Sequence, residues 1–383
     1  MSAAPFDILV VVDPRFSGGT AASVISDVDA FSALGARVGL MIVASRFFDG
    51  APDRPNERLL SLADLPGVHL ASGPARADLA FLHHPLAFAA GLHDPHPVRA
   101  ETAVLVAHHP PFRGDGSLEY NPVLAGRRVR ADLGCAIRWA PVSGVIRTQL
   151  RSFSPMLCMT TEDWINSFDG DTWRASRPVF SGARATVGRH GRPDILKWPG
   201  RTEDAVDPLT PGQGWDTRVM GLPTEMVGML GPRVAEWEIV PFNAEPIRDF
   251  LERLDAFVYF HHDRWVEAFG RTVAEAILME RPCILDPRLK PTFGPLATYC
   301  RPAEARDRLV RLRADATAAR IAAADRRQRA LALWSQSEIG ARLSRLGSDP
   351  GTRSRRGVKS ASVSMALRKA MGLSRRQLLA GGA

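Results

Sequence analysis

Strand-like apolar runs alternate with helical patterns along the first half of this chain, and this alternation limits the fold more than any other feature. The first run, residues 6–13, is almost continuously apolar, which is typical of a strand buried on both faces. A Ser-Gly-Gly-Thr turn and a helical pattern to about Leu34 follow, and Gly35 ends that pattern. Further strands are predicted at residues 37–44, 79–82, 103–107 and 137–141, and helices at residues 123–133 and 144–153. This order predicts a parallel, doubly wound α/β sheet.

A second alternating series follows a polar, turn-rich stretch at residues 166–178. Its predicted strands are residues 185–188, 218–221, 238–241, 256–260 and 282–285, and its predicted helices include residues 246–254 and 271–280. Residues 301–346 have a mostly helical pattern. We therefore expect a Rossmann-like N-terminal domain of residues 1–178, a Rossmann-like C-terminal domain of residues 179–346 with terminal helices, and a flexible basic tail of residues 347–383.

Positive charge is concentrated at the C-terminal end of the chain. Residues from Arg301 onward carry 19 of the 49 Lys and Arg residues but 6 of the 41 Asp and Glu residues. Either they form a solvated arginine-rich helix, or they contact an anionic membrane surface, to which residues 363–371 would contribute a short basic amphipathic helix. No nucleic-acid-binding motif accompanies the charge, so a nucleic-acid partner is not expected.

The remaining composition favours a cytoplasmic protein. No apolar run is long enough to span a bilayer, and the N-terminus lacks the basic region of a secretory signal. The 4 cysteines are scattered without metal-ligand spacing, which favours reduced thiols. We expect a cytoplasmic location, with the basic end as the part that would contact the inner face of a membrane.

Two glutamates bracket a Phe-Gly turn in the second domain. Glu267-Ala-Phe269-Gly270 opens a predicted amphipathic helix, and Glu275 lies inside that helix. The N-terminus of a helix attracts phosphate through its exposed N–H groups, and Gly270 would let a ligand approach the backbone closely. A carboxylate on each side can bind the hydroxyls of a sugar and of a ribose. The alternative is a surface helix with solvated glutamates, which suits either residue alone better than it suits the whole string.

Cations near a predicted strand end offer a place for phosphate. Arg189 follows the strand predicted at residues 185–188, and Lys197 lies in the next loop, where Arg192 competes with it. Parallel α/β sheets bind ligands at such strand ends, and Arg can bind two phosphate oxygens at once. The alternative for each cation is a solvated loop residue.

Two short turns resemble binding motifs only in part. Gly18, Gly19 and Thr20 open the first predicted helix and would expose N–H groups to a phosphate or a sugar, although the full dinucleotide fingerprint is absent. Asp169-Gly-Asp171 has the form of a metal-binding triplet, but it lies in the polar stretch and not after a strand. We interpret it as a turn.

These stretches resemble the retaining glycosyltransferases of the GT-B fold, in the large family-4-like group. The Glu-x7-Glu motif of that group matches Glu267 and Glu275, and the run at residues 255–260 is similar as well. The resemblance is strongest over residues 185–302. It implies two Rossmann-like domains facing a cleft, with the acceptor bound by the N-terminal domain and a nucleotide-sugar donor bound mainly by the C-terminal domain.

The resemblance also implies roles for individual residues of the Phe-Gly turn. Glu267 would act as a catalytic residue that contacts the donor sugar, and Glu275 would hold the ribose. Backbone amides beside Phe269 and Gly270 would contact the sugar or the phosphate.

The same resemblance assigns the cations and the first glycine turn to the diphosphate. Arg189 and Lys197 would neutralise the leaving diphosphate in place of a metal. The loop of Gly18, Gly19 and Thr20 would face the donor diphosphate and the acceptor.

Pairs of adjacent histidines each follow an apolar strand, and these are His83-His84, His108-His109 and His261-His262. They lack a Cys partner and a His-x-x-x-His helix, so a metal site is not expected. The resemblance implies a catalytic contact of His108 or His109 with the donor sugar, and a structural, hydrogen-bonded histidine is the alternative. His262 is expected near the sugar or the base.

The implied function is transfer of a hexose-like sugar from a nucleotide-diphosphate sugar to an unidentified glycan or lipid-linked acceptor. Transfer would proceed with retention and without a metal or other cofactor, in polysaccharide or glycolipid synthesis. Two alternatives stay open: a GT-B-like nucleotide-sugar epimerase and a nucleotide-sugar-binding protein without turnover. Trp198-Pro199, where the group usually has Gly after the Lys, and Glu280, where it has a small residue, depart from the pattern.

Overall fold

The computed structural model describes residues 5–353 of the chain. Contacts among these residues divide the chain into two compact units. Unit 1 ends at Ser167 and resumes at Gln336, and unit 2 is Phe168–Ser335. The helix predicted at residues 363–371 lies outside the described residues.

Unit 1 contains a parallel 6-stranded sheet and a short antiparallel pair of strands. Its strands are β1 (Phe6–Val12), β2 (Val38–Ile42), β3 (Ala44–Ser45), β4 (Val68–Leu70), β5 (Ala75–His83), β6 (Leu92–His93), β7 (Val98–Ala107) and β8 (Arg138–Pro141). Its helices before unit 2 are α1 (Gly19–Ala33), α2 (Glu57–Leu60), α3 (Pro85–Ala90), α4 (Pro122–Leu133) and α5 (Gly144–Arg151). The strand order is β4-β2-β1-β5-β7-β8. The chain adds β2 and β4 on one side of β1 and then β5, β7 and β8 on the other side, so the strand order reverses between β1 and β5.

Unit 2 contains a second parallel 6-stranded sheet. Its strands are β9 (Ala185–His190), β10 (Trp215–Met220), β11 (Glu238–Val240), β12 (Ala256–Tyr259), β13 (Cys283–Leu285) and β14 (Thr298–Tyr299). Its helices are α6 (Thr202–Val206), α7 (Thr224–Leu230), α8 (Ile247–Glu252), α9 (Arg271–Leu278), α10 (Lys290–Phe293), α11 (Ala305–Ala314) and α12 (Ala316–Trp334), and α13 (Ile339–Gly347) follows in unit 1. The order β11-β10-β9-β12-β13-β14 reverses direction between β9 and β12.

The two parallel sheets confirm the predicted doubly wound α/β class, and each predicted strand overlaps an observed one. The sequence patterns missed the short elements. Helix α3 begins at Pro85 directly after a strand and is too short to show a helical period, and β4 and β14 are edge strands of two or three residues.

The division between the units differs from the predicted boundary at residues 178 and 179. The polar stretch packs on unit 2, because Arg177 pairs with Asp255 at 2.8 Å and the Ser176 N–H donates to Glu252 at 3.0 Å. Local turn residues mark where regular structure stops, but they do not show which unit the stretch contacts.

The chain returns to unit 1 after α12, which also differs from the predicted domains. Gln336 Nε2 donates to the Ser26 carbonyl at 2.9 Å, and the Thr161 N–H donates to the Asp349 carboxylate at 2.7 Å. Helix α13 and residues 348–353 therefore pack on unit 1. A flexible tail had been predicted from residue 347.

Arginines spaced seven residues apart on α11 and α12 pack these helices onto unit 2. They are Arg306, Arg313, Arg320 and Arg327, and each donates to main-chain carbonyls of unit 2. Several arginines of the described C-terminal helices therefore make hydrogen bonds inside unit 2. Both sequence interpretations place these side chains at the surface, in contact with solvent or with a membrane. Within residues 5–353, no helix has the length and apolar character needed to cross a membrane.

Candidate functional site

The carboxyl ends of β9 and β12 form the place in unit 2 where a ligand is expected. Parallel sheets of this kind bind ligands where the strand order reverses, and β9 and β12 are the strands on either side of that point. Strand β9 ends with Arg189 and His190, and β12 ends with Tyr259. The loop after β12 carries Glu267 and leads into α9.

Glu267 is a buried carboxylate with three donors on one oxygen. Tyr259 Oη donates to Oε2 at 2.6 Å, Trp265 Nε1 at 3.2 Å and Lys197 Nζ at 3.4 Å. Burial opposes ionisation, but the Lys197 charge and the donors lower the pKa of Glu267 below its ordinary value. Within the described part of the chain, the hydrogen bonds to this carboxylate all reach Oε2. Oε1 can therefore accept from the hydroxyls of a ligand.

Glu275 lies in a different environment on α9. Burial raises its pKa to about 7, against the opposing charges of Arg271 and Lys197. His190 Nε2 lies 3.6 Å from Oε2, and Arg271 Nε lies 3.6 Å from Oε1. Both distances exceed a good hydrogen bond. Glu275 is therefore partly protonated at neutral pH, whereas Glu267 is ionised.

Arg189 supports the loop that carries Lys197. Its guanidinium donates to the Phe260 carbonyl at 2.8 Å and to the Lys197 carbonyl at 2.6 Å, and it stacks on the Trp198 ring at 4.0 Å. The side chain is 4% exposed, and burial lowers its pKa to about 10. The geometry assigns Arg189 to holding this loop, and direct contact with a diphosphate stays a prediction. Trp198 provides the ring under Arg189, which explains a bulky residue where the glycosyltransferase group usually has Gly.

The Phe-Gly turn serves Glu267 through its backbone. The Phe269 ring is buried in an aromatic cluster with Phe293 and Trp334, so only its main chain is available to a ligand. Gly270 precedes α9 with φ 87°, a conformation that favours glycine, and a Cβ there would lie 3.2 Å from Glu267 Cγ. The turn therefore brings the carboxylate close to the first N–H groups of α9.

His262 lies beside the Lys197 loop. Its N–H donates to the Leu196 carbonyl at 3.1 Å, and its Nδ1 accepts from the Arg264 N–H at 3.0 Å. Arg192, the competitor of Lys197, is exposed and lies 3.4 Å from Asp194. The structure thus brings Lys197, and not Arg192, next to Glu267.

In unit 1, the first glycine turn lies at the start of α1. Gly18 precedes this helix with φ 63°, and no side chain caps its N–H groups. Residues 17–19 are exposed, and Thr20 is half-buried. The placement after β1, at the reversal of strand order, agrees with a ligand-binding turn. Which ligand it would bind stays a prediction.

The histidines after β5 and β7 form one stacked cluster in unit 1. His83 Nδ1 and His108 Nε2 lie 3.0 Å apart, and His84 stacks on Phe16 at 3.8 Å and lies 5.8 Å from the His109 ring. Burial lowers the pKa of each of these histidines, that of His108 to about 3. The cluster is therefore neutral near pH 7. The catalytic roles of His108 and His109 stay predictions.

The predicted turn at residues 169–171 is confirmed, because the Asp169 carboxylate accepts from the Asp171 N–H at 3.0 Å. Among residues 5–353, no group of three or more His, Cys, Asp or Glu side chains has an arrangement suited to a metal ion. The Asp169 carboxylate serves the turn itself.

Sequence reasoning missed three residues of the unit 2 site. Tyr259 and Trp265 donate to Glu267, and His190 lies against Glu275. A signal was present, since each follows or ends a predicted strand on either side of the strand-order reversal. Residue type alone did not separate them from core side chains.

Two Rossmann-like units, each built on a parallel sheet, define the GT-B fold of glycosyltransferases. HepE of Anabaena, solved in complex with UDP, shares this fold with a TM-score of 0.63 and 13% identity over 88% of this chain and 98% of HepE. A glycosyltransferase from Rickettsia africae has a TM-score of 0.59 at 12% identity, over 90% of this chain and 98% of that chain. AviGT4, a glycosyltransferase of avilamycin A biosynthesis, has a TM-score of 0.54 at 16% identity, over 93% and 99%. No protein-family model and no curated protein matches the chain.

Proposed function

We propose that this protein is a retaining glycosyltransferase of the family-4-like group that uses a nucleotide-diphosphate sugar as donor. The observation that carries the proposal is the environment of Glu267. A buried, ionised carboxylate with one oxygen held by three donors lies beside Lys197 and at the start of α9. Such a group is preorganised to bind sugar hydroxyls with its other oxygen.

The neighbouring groups suit the rest of such a donor. Lys197 and the first N–H groups of α9 supply positive charge and donors for a diphosphate. Glu275, further along α9, would accept from the ribose hydroxyls once it is ionised. The solved complexes of HepE with UDP and with UDP-glucose favour UDP-sugars as the first donors to test.

The proposal includes catalysis without a metal. Lys197 and the α9 N-terminus would stabilise the charge that develops on the leaving diphosphate. Retention of configuration is proposed from the resemblance of the Glu-x7-Glu string. NMR of the product anomer tests it directly.

Donor turnover by the full chain is the central experiment. The protein is incubated with UDP-, GDP-, ADP- and TDP-sugars, with and without EDTA, and the products are identified by mass spectrometry. We expect slow release of nucleoside diphosphate from one donor class, with water accepting the sugar in the absence of the natural acceptor, and this release is unchanged by EDTA. Glu267→Gln should lower the turnover rate about 100-fold or more, because a neutral amide cannot replace the ionised carboxylate that accepts hydrogen bonds from the sugar hydroxyls.

Glu203→Gln is the matched control, because Glu203 is a mostly exposed acid of the same unit, 3.8 Å from Arg233. It should turn over like the wild type. Full activity of Glu267→Gln would contradict the proposal. An epimerised sugar as the product would indicate an epimerase, and binding without turnover of any donor would indicate a binding protein.

For the acceptor, we propose a glycan or a lipid-linked glycan. Part of the basic C-terminal region lies at residues 354–383, outside the described residues, and we propose that it contacts anionic lipid at the inner membrane face. Sedimentation with vesicles of neutral or anionic lipid tests this. Equal binding to both vesicles, or to neither, would contradict it.

A further inference from the structure

His190 is a buried residue whose imidazole ring lacks a hydrogen bond of good geometry. It is the last residue of β9, 1% exposed, and its ring packs edge-to-face on Phe250 at 5.9 Å and on Phe257 at 5.8 Å. Within the described residues, neither ring nitrogen has a partner in good hydrogen-bond geometry, and the backbone of Thr272 approaches the ring closely enough to oppose the lowering of its pKa. An apolar side chain would pack between two phenylalanines without this desolvation cost, so the imidazole calls for another explanation.

Glu275 is an ionisable group close to this ring, and the charges of Lys197 and Arg189 also act on the ring. The His190 Nε2 to Glu275 Oε2 distance is 3.6 Å, and a shift of about 0.7 Å would close it to a normal hydrogen bond. Burial lowers the pKa of His190 to about 3, so the ring is neutral and carries one N–H. A neutral imidazole can donate to a carboxylate without adding charge to the buried site.

Two cations act on the ionisation of Glu275, and a third group, His190, lies against the carboxylate. Arg271 lies 3.6 Å from its Oε1, Lys197 acts through its charge, and His190 is the group at Oε2. The two cations favour the carboxylate, but burial outweighs them. A further donor at Oε2 would shift the balance toward the ionised form, which is the form that accepts from hydroxyls.

We propose that His190 is a positioning residue that donates from Nε2 to Glu275 as this carboxylate ionises, and so favours the ionised, ribose-binding form of Glu275. The proposal rests on the proposed function, because it takes Glu275 as the ribose ligand. It adds a residue outside the Glu-x7-Glu string and makes donor affinity depend on pH near neutrality.

The test is UDP binding by calorimetry from pH 6 to pH 9 with His190→Phe and His190→Gln. Phenylalanine keeps the packing between Phe250 and Phe257 but removes the donor. We expect the pH midpoint of binding to rise by about one unit and the affinity at pH 7 to fall about fivefold, with the loss disappearing at high pH. Glutamine places an amide N–H near the Nε2 position and should restore both values.

A structural role would give a different result. Val187→Ala, in the same strand and fully buried, is the control for lost packing. It should lower affinity equally at every pH or leave it unchanged. If His190→Phe behaves in this way, or leaves the midpoint unmoved, the proposal is overturned. If His190→Phe does not fold, His190→Asn, whose shorter amide cannot reach Glu275, takes its place.

A measurement without nucleotide separates this proposal from the proposed function. Hydrogen exchange of α9 in the free protein reports the ionisation of Glu275 through the pH dependence of local stability. His190→Phe should shift that dependence upward by about one unit even if UDP does not bind. Wild-type protein that binds no nucleotide would contradict the proposed function, whereas an unshifted α9 profile would contradict the role of His190.

Discussion

The carboxyl ends of the sheet strands carry different ionisable side chains in the two units. At the carboxyl ends of β5 and β7 in unit 1 lie four clustered histidines whose pKa values are lowered by burial. At the corresponding edge of unit 2, the ionised Glu267 lies 3.4 Å from Lys197, and Glu275 lies near Arg271. The histidine cluster of unit 1 is neutral, although an ion pair of Asp13 with Arg15 at 2.6 Å follows β1 at the same edge. The edge of unit 2 holds buried charges of both signs.

The difference shows how burial acts on bases and acids. Burial disfavours the charged form, so it lowers the pKa of a histidine and raises that of a glutamate. The unit 1 cluster therefore loses stability in acid, whereas Glu275 makes unit 2 less stable as it ionises. The pKa of Glu267 is lowered in spite of burial, because the charge of Lys197 and the other donors to its carboxylate outweigh the cost of burial. A charged ligand such as a nucleoside diphosphate is better suited to the edge of unit 2.

Removing the charge of Lys197 should have the largest effect on ligand binding. Lys197→Met keeps most of the side-chain stem but removes the charge, and we expect UDP to bind about 100-fold more weakly because a charge-assisted contact is lost. Calorimetry measures it. Lys290→Met, at an exposed lysine of the same unit, is the control and should bind like the wild type. Unchanged UDP affinity of Lys197→Met would contradict a role of the Lys197 charge in binding, and with it the functional comparison of the two units.

The next effect concerns the stability of unit 2. The folded-state pKa of Glu275 is about 7, above the unfolded value, so its contribution is complete below about pH 4.5 and is lost as the pH rises through 7. Glu275→Gln removes this titration. Relative to this variant, α9 of the wild type should lose about 2 kcal/mol between pH 5 and pH 7. Hydrogen exchange of α9 measures the change, and parallel profiles for the two proteins would contradict it.

Unit 1 should show the opposite slope. The folded-state pKa of His108 is about 3, below the unfolded value, so stability is complete above about pH 6.5 and is lost as the pH falls. His108→Gln keeps a polar partner for His83 and removes one titration. Relative to this variant, β7 of the wild type should lose about 2 kcal/mol between pH 6.5 and pH 5. Exchange in β7 tests the sign, and a slope like that of α9 would break the comparison.

The smallest effect concerns backbone strain in unit 2. Glu280 follows α9 with φ 55°, which favours glycine, and its carboxylate lies 4.0 Å from Arg327. Glu280→Gly should raise the free energy of unfolding by about 0.5 to 1 kcal/mol and leave UDP affinity unchanged. Glu280→Ala, which keeps the strain and loses the ion pair, should not stabilise. Equal stability of the two variants would show that strain is unimportant here.

The sequence predicted the fold well because its signals were local and repeated. Buried strands appeared as apolar runs, and Gly270 and Gly35 marked a helix start and a helix end correctly. The contact division of the chain falls before the predicted boundary, because the stretch before residue 178 has turn chemistry and its contacts are distant in sequence. The return of the chain to unit 1 at α13 also depends on distant contacts, such as that between Gln336 and Ser26.

The contacts of the predicted site residues likewise depend on distances in space. The Glu-x7-Glu string identified Glu267 and Glu275, but the lowered pKa of Glu267 and the raised pKa of Glu275 depend on burial and on partners such as Lys197 that lie on other elements. Arg189 and Lys197 belonged to one predicted phosphate site. The structure gives Arg189 carbonyl partners and Lys197 a carboxylate partner.

Residue order by itself determined the α/β class, the two-sheet organisation and the acids of the candidate site. These follow from hydrophobic periodicity and from residue types in a short string, which need no knowledge of distant contacts. Only the tertiary structure decided which carboxylate is charged, which cation is available and which histidines share one cluster. Each of these depends on burial and on donors brought together from separate strands, because pKa values and hydrogen bonds respond to distances in space and not to spacing along the chain.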